Sequence, residues 1–321
     1  MNPRITVVIC TFNRFDLLPD AIASIELQDL PPDSYELIIV DNSDDLVAQR
    51  RFRDGLEIAC QHRYITEAQP GLSRARNIGV NAAASELVAF MDDDANAAPD
   101  WLMHIAETFS QYERAGVTGG PVRPIWSTPK PMWLSPWLEP FLTILDRGAE
   151  LRVLPPNEWL AGTNIAFRTR PLKEIGLFPE NLGRIGQLLL SNEELIVSDR
   201  LRALGYDILY NPEIVVHHRV HAERANQSWL RRRVVWQAIS DLFAAGMART
   251  AQADPHVDIH RVLDYLARLA PRDRGTMGLF LDLDDPELFT AQTEAIAALV
   301  RFLAADSGDW RRILANAAQR H

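Results

Sequence analysis

Short apolar runs alternate with longer amphipathic segments along the first 120 residues. Four of the runs are rich in β-branched residues and are predicted as strands, at residues 5–10, 36–40, 57–65 and 87–91. Segments with helical spacing of apolar residues separate them, at residues 16–27, 46–53 and 72–84, and Pro99 is expected to open a further helix. This alternation predicts an α/β fold, in which the strands of a mostly parallel sheet are connected through flanking helices.

The pattern changes between residues 119 and 156, where prolines and tryptophans crowd together and predict a packed, irregular crossing segment. Further elements are then expected to extend the sheet: a strand at 158–168, a helix at 191–204 closed by Gly205, and two extended pieces within 207–217. Beyond about residue 227 the spacing is helical throughout. We therefore expect a C-terminal helical appendage, with helices at residues 228–249, 260–269, 286–304 and 310–319.

Composition narrows the class of protein. The chain has 321 residues, of which 33 are Lys or Arg and 43 are Asp or Glu, so its formal net charge is −10. Sequence-independent binding of nucleic acid needs many cations, so no nucleic-acid partner is expected and a phosphate compound must be held locally. Two cysteines make neither a disulfide framework nor a zinc set. Without a leader or a run of about 18 apolar residues, a soluble cytoplasmic protein is expected.

Polar residues follow the predicted strands at the edge where an open parallel sheet binds its ligand. Asp41 follows the second strand, and three consecutive aspartates follow the fourth. Arg74 and Arg76 open the third helix, whose N-terminal amides also favour an anion. The residues that follow the first strand complete this set: Thr11, Asn13 and Arg14.

If the three aspartates converge in a partly dry cleft, their carboxylates repel one another. Either a proton or a cation must then lie among them. Mg²⁺ or Mn²⁺ is the simpler answer, since Asp92 and Asp94 leave one strand end together and carboxylates suit a hard cation. A solvated loop or a helix cap is the alternative for the triplet. Asp41 could equally serve a turn, and Arg76 could be a solvated helix residue.

These residues lie in motifs that resemble those of the family 2 glycosyltransferases of bacterial type, inverting enzymes with the A-type fold that use nucleotide sugars. The resemblance covers roughly residues 4–220 and implies a Rossmann-like, mostly parallel sheet. It implies a catalytic domain at 1–225, divided into a nucleotide-sugar-binding half (1–120) and an acceptor-binding half (121–225), before a helical region at 226–321. The motifs are ITVVICTFNR, ELIIVDNSDD, GLSRARNIGVNAA, LVAFMDDDANAAPDWL, GTNIAFR, NEELIVSDRLRALGYDILYNP and VVHHRV.

The resemblance also implies roles for individual residues. Glu194 stands where the family has an aspartate base, and Glu193 is the alternate base. His218 is preferred to His217 as a ligand of the metal, because the two side chains leave the strand on opposite faces. The resemblance places Asp41 at the base of the nucleotide and Arg76 at the diphosphate. It assigns nucleotide-sugar binding to Thr11, Asn13, Arg14, Asp41, Arg76, Asp92 and Asp93. It assigns metal binding to Asp94 and His218, and acceptor binding to Trp159, Gly162, Thr163 and Asn164.

The expected partners are a nucleotide-diphosphate sugar, with UDP-sugars the commonest in the family, a glycan or lipid-linked acceptor, and Mn²⁺ or Mg²⁺. Residues 229–233 (WLRRR) could contact the inner face of a membrane or form an ordinary solvated helix face, and a homodimer is left open. A nucleotidylyltransferase would need a Gly-rich loop where this chain reads TFNRFDLL. A non-catalytic nucleotide-sugar- or carbohydrate-binding relative would lack the acids that are present here.

Overall fold

A computed structural model describes residues 4–186, 188–248 and 255–306. The strands in this part of the chain are β1 (Ile5–Thr11), β2 (Tyr35–Asp41), β3 (Gln61–Thr66), β4 (Leu87–Asp92), β5 (Ala95–Ala97), β6 (Ala115–Gly119), β7 (Val122–Trp126), β8 (Arg152–Val153), β9 (Ile165–Arg168), β10 (Asp207–Tyr210) and β11 (Val216–Val220). Eight of them form one sheet in the order β3-β2-β1-β4-β9-β6-β10-β8. The other three form a small sheet in the order β5-β11-β7.

The first four strands of the large sheet are parallel, and β6 and β10 are parallel to each other, whereas β9 and β8 run antiparallel to their neighbours. Along β1, Thr11 pairs with Asp41 and Cys10 pairs with Asp92. The carboxyl ends of β1, β2 and β4 therefore lie side by side at one edge of the sheet. The predicted mostly parallel sheet is confirmed.

Helices cover both faces of this sheet, namely α1 (Leu18–Glu26), α2 (Leu46–Asp54), α3 (Leu72–Ala82), α4 (Trp101–Gln111), α5 (Thr169–Glu174) and α6 (Glu193–Ala203). Side chains alternate along a strand, so Val7 joins the core with α1 and α4, and Val8 joins the core with α3 and α6. Gly79 of α3 lies directly over Val8, where an added Cβ would overlap the valine side chain. A larger residue there would push α3 away from β1.

Three longer helices follow: α7 (Gln227–Ala248), α8 (Pro255–Arg268) and α9 (Pro286–Asp306). They form a second compact unit with its own core, around Val234, Tyr265 and Ile296. Residues 126–142 and 184–192 belong to this unit as well, and Trp133 packs edge-on against Phe289. None of the described helices combines the length and the apolar character that crossing a membrane requires. The helix predicted at 310–319 lies outside the described residues.

The elements differ from the predictions in the middle of the chain. The segment predicted as irregular contains β7, β8 and a 3₁₀ turn at Glu139–Leu142, and β6 and α5 were not predicted at all. In the predicted strand at 158–168, only β9 is extended. The sequence of β6, AGVTG, has small residues and little alternation, and it forms a strand because it lies between β9 and β10. The predicted boundary after residue 225 concerns function and stays a prediction.

Candidate functional site

The three aspartates that end β4 lie in a largely buried cluster with two residues from the end of β1. Thr11 Oγ1 donates a hydrogen bond of 2.7 Å to Asp93 Oδ2. Arg14 Nη1 lies 3.2 Å from Asp93 Oδ1 and 2.5 Å from Asp94 Oδ2. Burial and the neighbouring Asp94 raise the pKa of Asp93 to about 7, against the lowering effect of Arg14. Thr11 and Arg14 thus contact Asp93 and Asp94, while their roles in binding stay a prediction.

Asp92, Asp94 and His218 form a group that could hold a metal ion, because one ligand atom of each lies within 4.8 Å of the others. His218 Nε2 is 3.2 Å from Asp94 Oδ1, while the buried His218 Nδ1 has no hydrogen-bond partner. Carboxylates with an imidazole suit Mn²⁺, and Nε2 is the ring nitrogen that faces the Asp94 carboxylate. His217 lies on the other face of β11, where burial and Arg123 lower its pKa.

Asn13 connects the loops that follow β1 and β2. Its backbone is left-handed, with φ of 56°, a conformation that asparagine tolerates better than most residues. The Asn13 amide N–H donates to Ser43 Oγ at 2.7 Å, and Asn13 Nδ2 donates to Asp44 Oδ1 at 2.6 Å. The side chain of Asn13 therefore fixes the loop that carries Arg14.

Asp41 is fully buried at the end of β2. One of its oxygens accepts from the Ser43 amide at 2.8 Å, and the other accepts a short hydrogen bond from the Tyr64 hydroxyl. Burial and Asp41 raise the pKa of Tyr64. Sequence reasoning missed Tyr64, since a tyrosine in a strand is ordinarily a packing residue. The sequence feature that could have indicated Tyr64 is its position on β3, the strand that pairs with the strand carrying Asp41.

Arg76 contacts the two acids that begin α6 rather than the aspartate triplet. Arg76 Nη1 lies 2.9 Å from Glu193 Oε1 and 2.9 Å from Glu194 Oε1. The guanidinium carbon is 5.7 Å from the centre of the Phe90 ring and 5.5 Å from that of Phe178, so the cation is stacked among aromatic rings. The neighbouring carboxylates raise the pKa of Arg76 despite its burial. The guanidinium is therefore a buried, permanent cation.

The two acids differ in exposure. The Glu193 side chain is 3% exposed and the Glu194 side chain is 17% exposed. Burial and the charge of Glu194 raise the pKa of Glu193 to about 8. Glu193 therefore binds its proton more tightly than a free glutamate does, and Glu194 is the acid whose side chain is more accessible. Glu194 is accordingly the better placed proton acceptor.

The four residues predicted for the acceptor side occupy different environments. Gly162 lies against the acids, and a Cβ there would overlap Glu194 Oε1 and Arg76 Nη2. Thr163 Oγ1 accepts a hydrogen bond of 3.1 Å from the Asp92 amide. Trp159 is half-buried, with Arg147 over its ring at 5.6 Å. Asn164 is turned into the core, where it accepts from Trp101 Nε1 and donates to two backbone carbonyls.

Comparison with known proteins gives the family that this chain matches. Residues 6–176 match the sequence model of the family described as Glycosyl transferase family 2. The chain is 28% identical over 241 residues to the glucosyl-dolichyl phosphate glucuronosyltransferase of Haloferax volcanii, covering 74% of this chain and 76% of that protein. It is 26% identical over 235 residues to the succinoglycan biosynthesis protein ExoM of Rhizobium meliloti, covering 72% and 71%.

A solved structure shares the fold. It is the mannosyltransferase PcManGT from Pyrobaculum calidifontis in complex with GDP-Man and Mn²⁺, with a TM-score of 0.61 and 20% sequence identity. The match covers 96% of this chain and 89% of that chain. At this identity the likeness concerns the fold, an α/β sheet flanked by helices.

Proposed function

The chain belongs to glycosyltransferase family 2, so its reaction is a sugar transfer, and we propose that Glu194 is the general base of an inverting, metal-assisted transfer. One observation carries the proposal: the loop that precedes β9 contacts Glu194 and also the first residue of the aspartate triplet, Asp92. Its Gly162 lies against Glu194, and its Thr163 binds the Asp92 backbone. A base and a cation site on either side of one short loop suit a reaction in which a hydroxyl attacks while a diphosphate leaves.

In this proposal each residue has one task. Asp92, Asp94 and His218 would hold a divalent cation, which when bound would supply positive charge near the diphosphate. Asp41 binds the base of the nucleotide at the end of β2. Glu194 takes the proton of the acceptor hydroxyl, which attacks the anomeric carbon on the face opposite the nucleotide, so the configuration at that carbon inverts. The family resemblance assigns Arg76 to the diphosphate, but its contacts support another role, which is argued below.

The proposed donor is a nucleoside-diphosphate sugar. UDP-sugars are the first class to test, since they are the commonest in the family, and GDP-sugars are the second, since PcManGT is described with GDP-Man. The proposed acceptor is a glycan or a lipid-linked sugar, as the names of the relatives from Haloferax volcanii and Rhizobium meliloti suggest. A place in the cytoplasm or at the inner face of the membrane is part of the same proposal.

The contacts of residues 229–233 do not favour a membrane role for that segment. Leu230 is fully buried in the helical unit. Arg231 binds Asp282 at 2.8 Å and the Leu281 carbonyl at 3.0 Å. Arg233 donates to Gln237 at 2.8 Å. Because these side chains stabilise the unit itself, the proposal does not include membrane binding through them.

The proposal is tested by Glu194→Gln, which keeps the shape of the side chain and removes the base. We expect the rate of sugar transfer to fall by about 100-fold to 10,000-fold, while affinity for the nucleotide stays within about twofold. The donor is first identified by a thermal-shift screen of UDP- and GDP-sugars, with and without Mn²⁺. Transfer is then measured with that donor.

Glu174→Gln is the matched control, because Glu174 is exposed on α5 and pairs with Arg170 across one helical turn. It should transfer sugar at the rate of the unaltered protein. If the Glu194→Gln protein transfers sugar as fast as this control does, Glu194 is not the general base. Stabilisation by the donor that is unchanged by Mn²⁺, and equal in Asp94→Ala, would remove the cation from the proposal.

A further inference from the structure

The Arg76 side chain is buried among other protein groups, whereas a ligand of an incoming diphosphate needs to be accessible. Its side chain is 3% exposed, and its guanidinium lies near the rings of Phe90 and Phe178. To reach a substrate it would have to leave two carboxylates, each 2.9 Å from Nη1. Such a move would leave two acids in a buried place without a cation, which is strongly unfavourable.

The position of the Glu194 carboxylate is fixed from two sides. Arg76 Nη1 contacts its Oε1, and the backbone at Gly162 is so close that a single Cβ would overlap the same oxygen. With Oε1 held by the guanidinium, Oε2 is the oxygen that remains for the acceptor proton.

On the basis of the proposed function, we propose that Arg76 is a positioning residue that holds the carboxylate of the base Glu194 in place, rather than a ligand of the diphosphate. The charged and titratable groups around this pair come from four elements. Glu193 lies beside Glu194 on α6, Arg76 comes from α3, and two titratable groups near Arg76 are Asp92 on β4 and the buried thiol of Cys10 on β1. Replacing Arg76 therefore displaces the Glu194 carboxylate and leaves nucleotide binding largely unchanged.

Two variants test this role. Arg76→Lys keeps the charge but cannot reach both acids with one planar group. Arg76→Met with Glu193→Gln removes one cation and one titratable acid together, so that no pair of acids is left without a cation. Arg74→Lys is the matched control, because Arg74 lies on the same helix, is partly exposed, and pairs with Glu67 and Glu180.

Two readouts are needed for each variant. The first is affinity for UDP and for GDP in the presence of Mn²⁺, measured by calorimetry. The second is the pH dependence of kcat with the donor that the screen identifies. We expect both variants to bind the nucleoside diphosphate within about twofold of the unaltered protein, with kcat about 100-fold lower. In the double variant the acid limb of the profile should move, whereas in the Arg74→Lys control it should stay in place.

The outcomes separate the two roles. A tenfold or greater loss of diphosphate affinity in Arg76→Lys, with an unchanged pH profile, would make Arg76 a diphosphate ligand and overturn the inference. An Arg76→Lys protein with the kcat of the Arg74→Lys control would overturn it as well. If the unaltered protein binds neither UDP nor GDP and transfers no sugar, the proposed function itself fails, whatever the variants do.

Discussion

At the scale of single residues, the arrangement of the site depends on how closely the backbone approaches the acids. Gly162 has an ordinary backbone conformation, so any residue could adopt it, and what excludes a side chain is the space taken by Glu194 and Arg76. The carboxylate and the guanidinium together fill the place where a Cβ would stand. A glycine here is thus a requirement of the site rather than of the turn.

Gly162→Ala should displace the Glu194 carboxylate and lower kcat by about 100-fold, because a misplaced base loses most of its effect. Affinity for the nucleoside diphosphate should change little, since Gly162 lies on the side of the acids. Steady-state kinetics with calorimetry checks both. Gly148→Ala is the control, because nothing lies within 4 Å of a Cβ built there, although its φ of 96° adds some strain. Equal kcat values for the two variants would contradict the prediction.

Glu193 gives the protein a pH-dependent stability. Its pKa is about 8 in the folded chain and about 4.5 in a free side chain. Between these values the unfolded state releases a proton that the folded state keeps, so stability falls as pH rises from about 5 to 8. Glu193→Gln removes this loss of stability at high pH. Its melting temperature should exceed that of the unaltered protein by a few degrees at pH 8, and the difference should shrink towards pH 5.

Melting curves at several pH values, recorded without metal, check this prediction against Glu174→Gln. The control acid is exposed, so its variant should follow the unaltered protein at every pH. A Glu193→Gln protein whose advantage grows towards low pH would show that the sign is wrong.

Sequence reasoning could select these residues as candidates but could not predict most of their contacts. The aspartates, Arg14, Thr11 and both glutamates follow strand ends or open a helix, positions that a pattern reveals. The pairing of Arg76 with the glutamates joins residues more than one hundred positions apart, and no spacing in the chain encodes it. The ring of Phe178 beside that cation was hidden for the same reason.

At the scale of elements, the short strand β9 and the loop before it connect the site to the core. The loop residues Gly162 and Thr163 touch the functional groups, whereas Asn164, next in sequence, is fully buried. Its amide accepts from Trp101 Nε1 at 2.9 Å and donates to the Pro121 and Ile214 carbonyls at 3.0 and 2.7 Å. The residues before β9 thus contact the candidate site on one side and bind α4 and two loops on the other.

Asn164→Ala should lower the free energy of unfolding by about 2 kcal/mol or more, because it leaves a buried indole N–H and two carbonyls without partners. Urea denaturation followed by tryptophan fluorescence measures the change. Asn81→Ala is the control, since Asn81 is exposed on α3, and it should stay within about 0.5 kcal/mol. Unaltered stability with a raised KM for the acceptor would instead support the acceptor-binding role that the motif suggests.

Element boundaries were predictable where the pattern is regular and failed where strands are short. The run at β1 and the helix α3 have clear periods, and both were predicted within two residues of the bounds found. By contrast, β8 has two residues and β9 has four, which is too few to show a period. Their extended form comes from pairing with neighbours that are distant in the chain.

At the scale of the whole molecule, the chain enters the helical unit three times. Residues 126–142 and 184–192 belong to it, together with the helices that begin at Gln227. Ser135 Oγ lies 2.8 Å from Thr290 Oγ1, and Asn192 Nδ2 donates to Asp241 Oδ1 at 2.8 Å. The helices are thus part of one structure with segments from the middle of the chain.

A protein that ends after Ala225 should therefore fail to fold cooperatively, although it keeps every predicted site residue. It would expose Trp133, which packs against Phe289, together with the buried Leu134 and Leu138. Size-exclusion chromatography and binding of an apolar dye measure this. The full chain, prepared in the same way, should elute as a defined species and bind little dye. A monomeric, cooperatively unfolding 1–225 protein would contradict the expectation.

The packing of Trp133 on Phe289 also has a consequence for synthesis on the ribosome. About 150 residues separate the two, so at about 5–20 residues per second the tryptophan is made roughly 8–30 s before its partner. During that interval residues 126–142 present apolar side chains to the cell. The helical unit can complete its core only near the end of translation, and a pause or early termination before residue 286 would release a chain prone to aggregate.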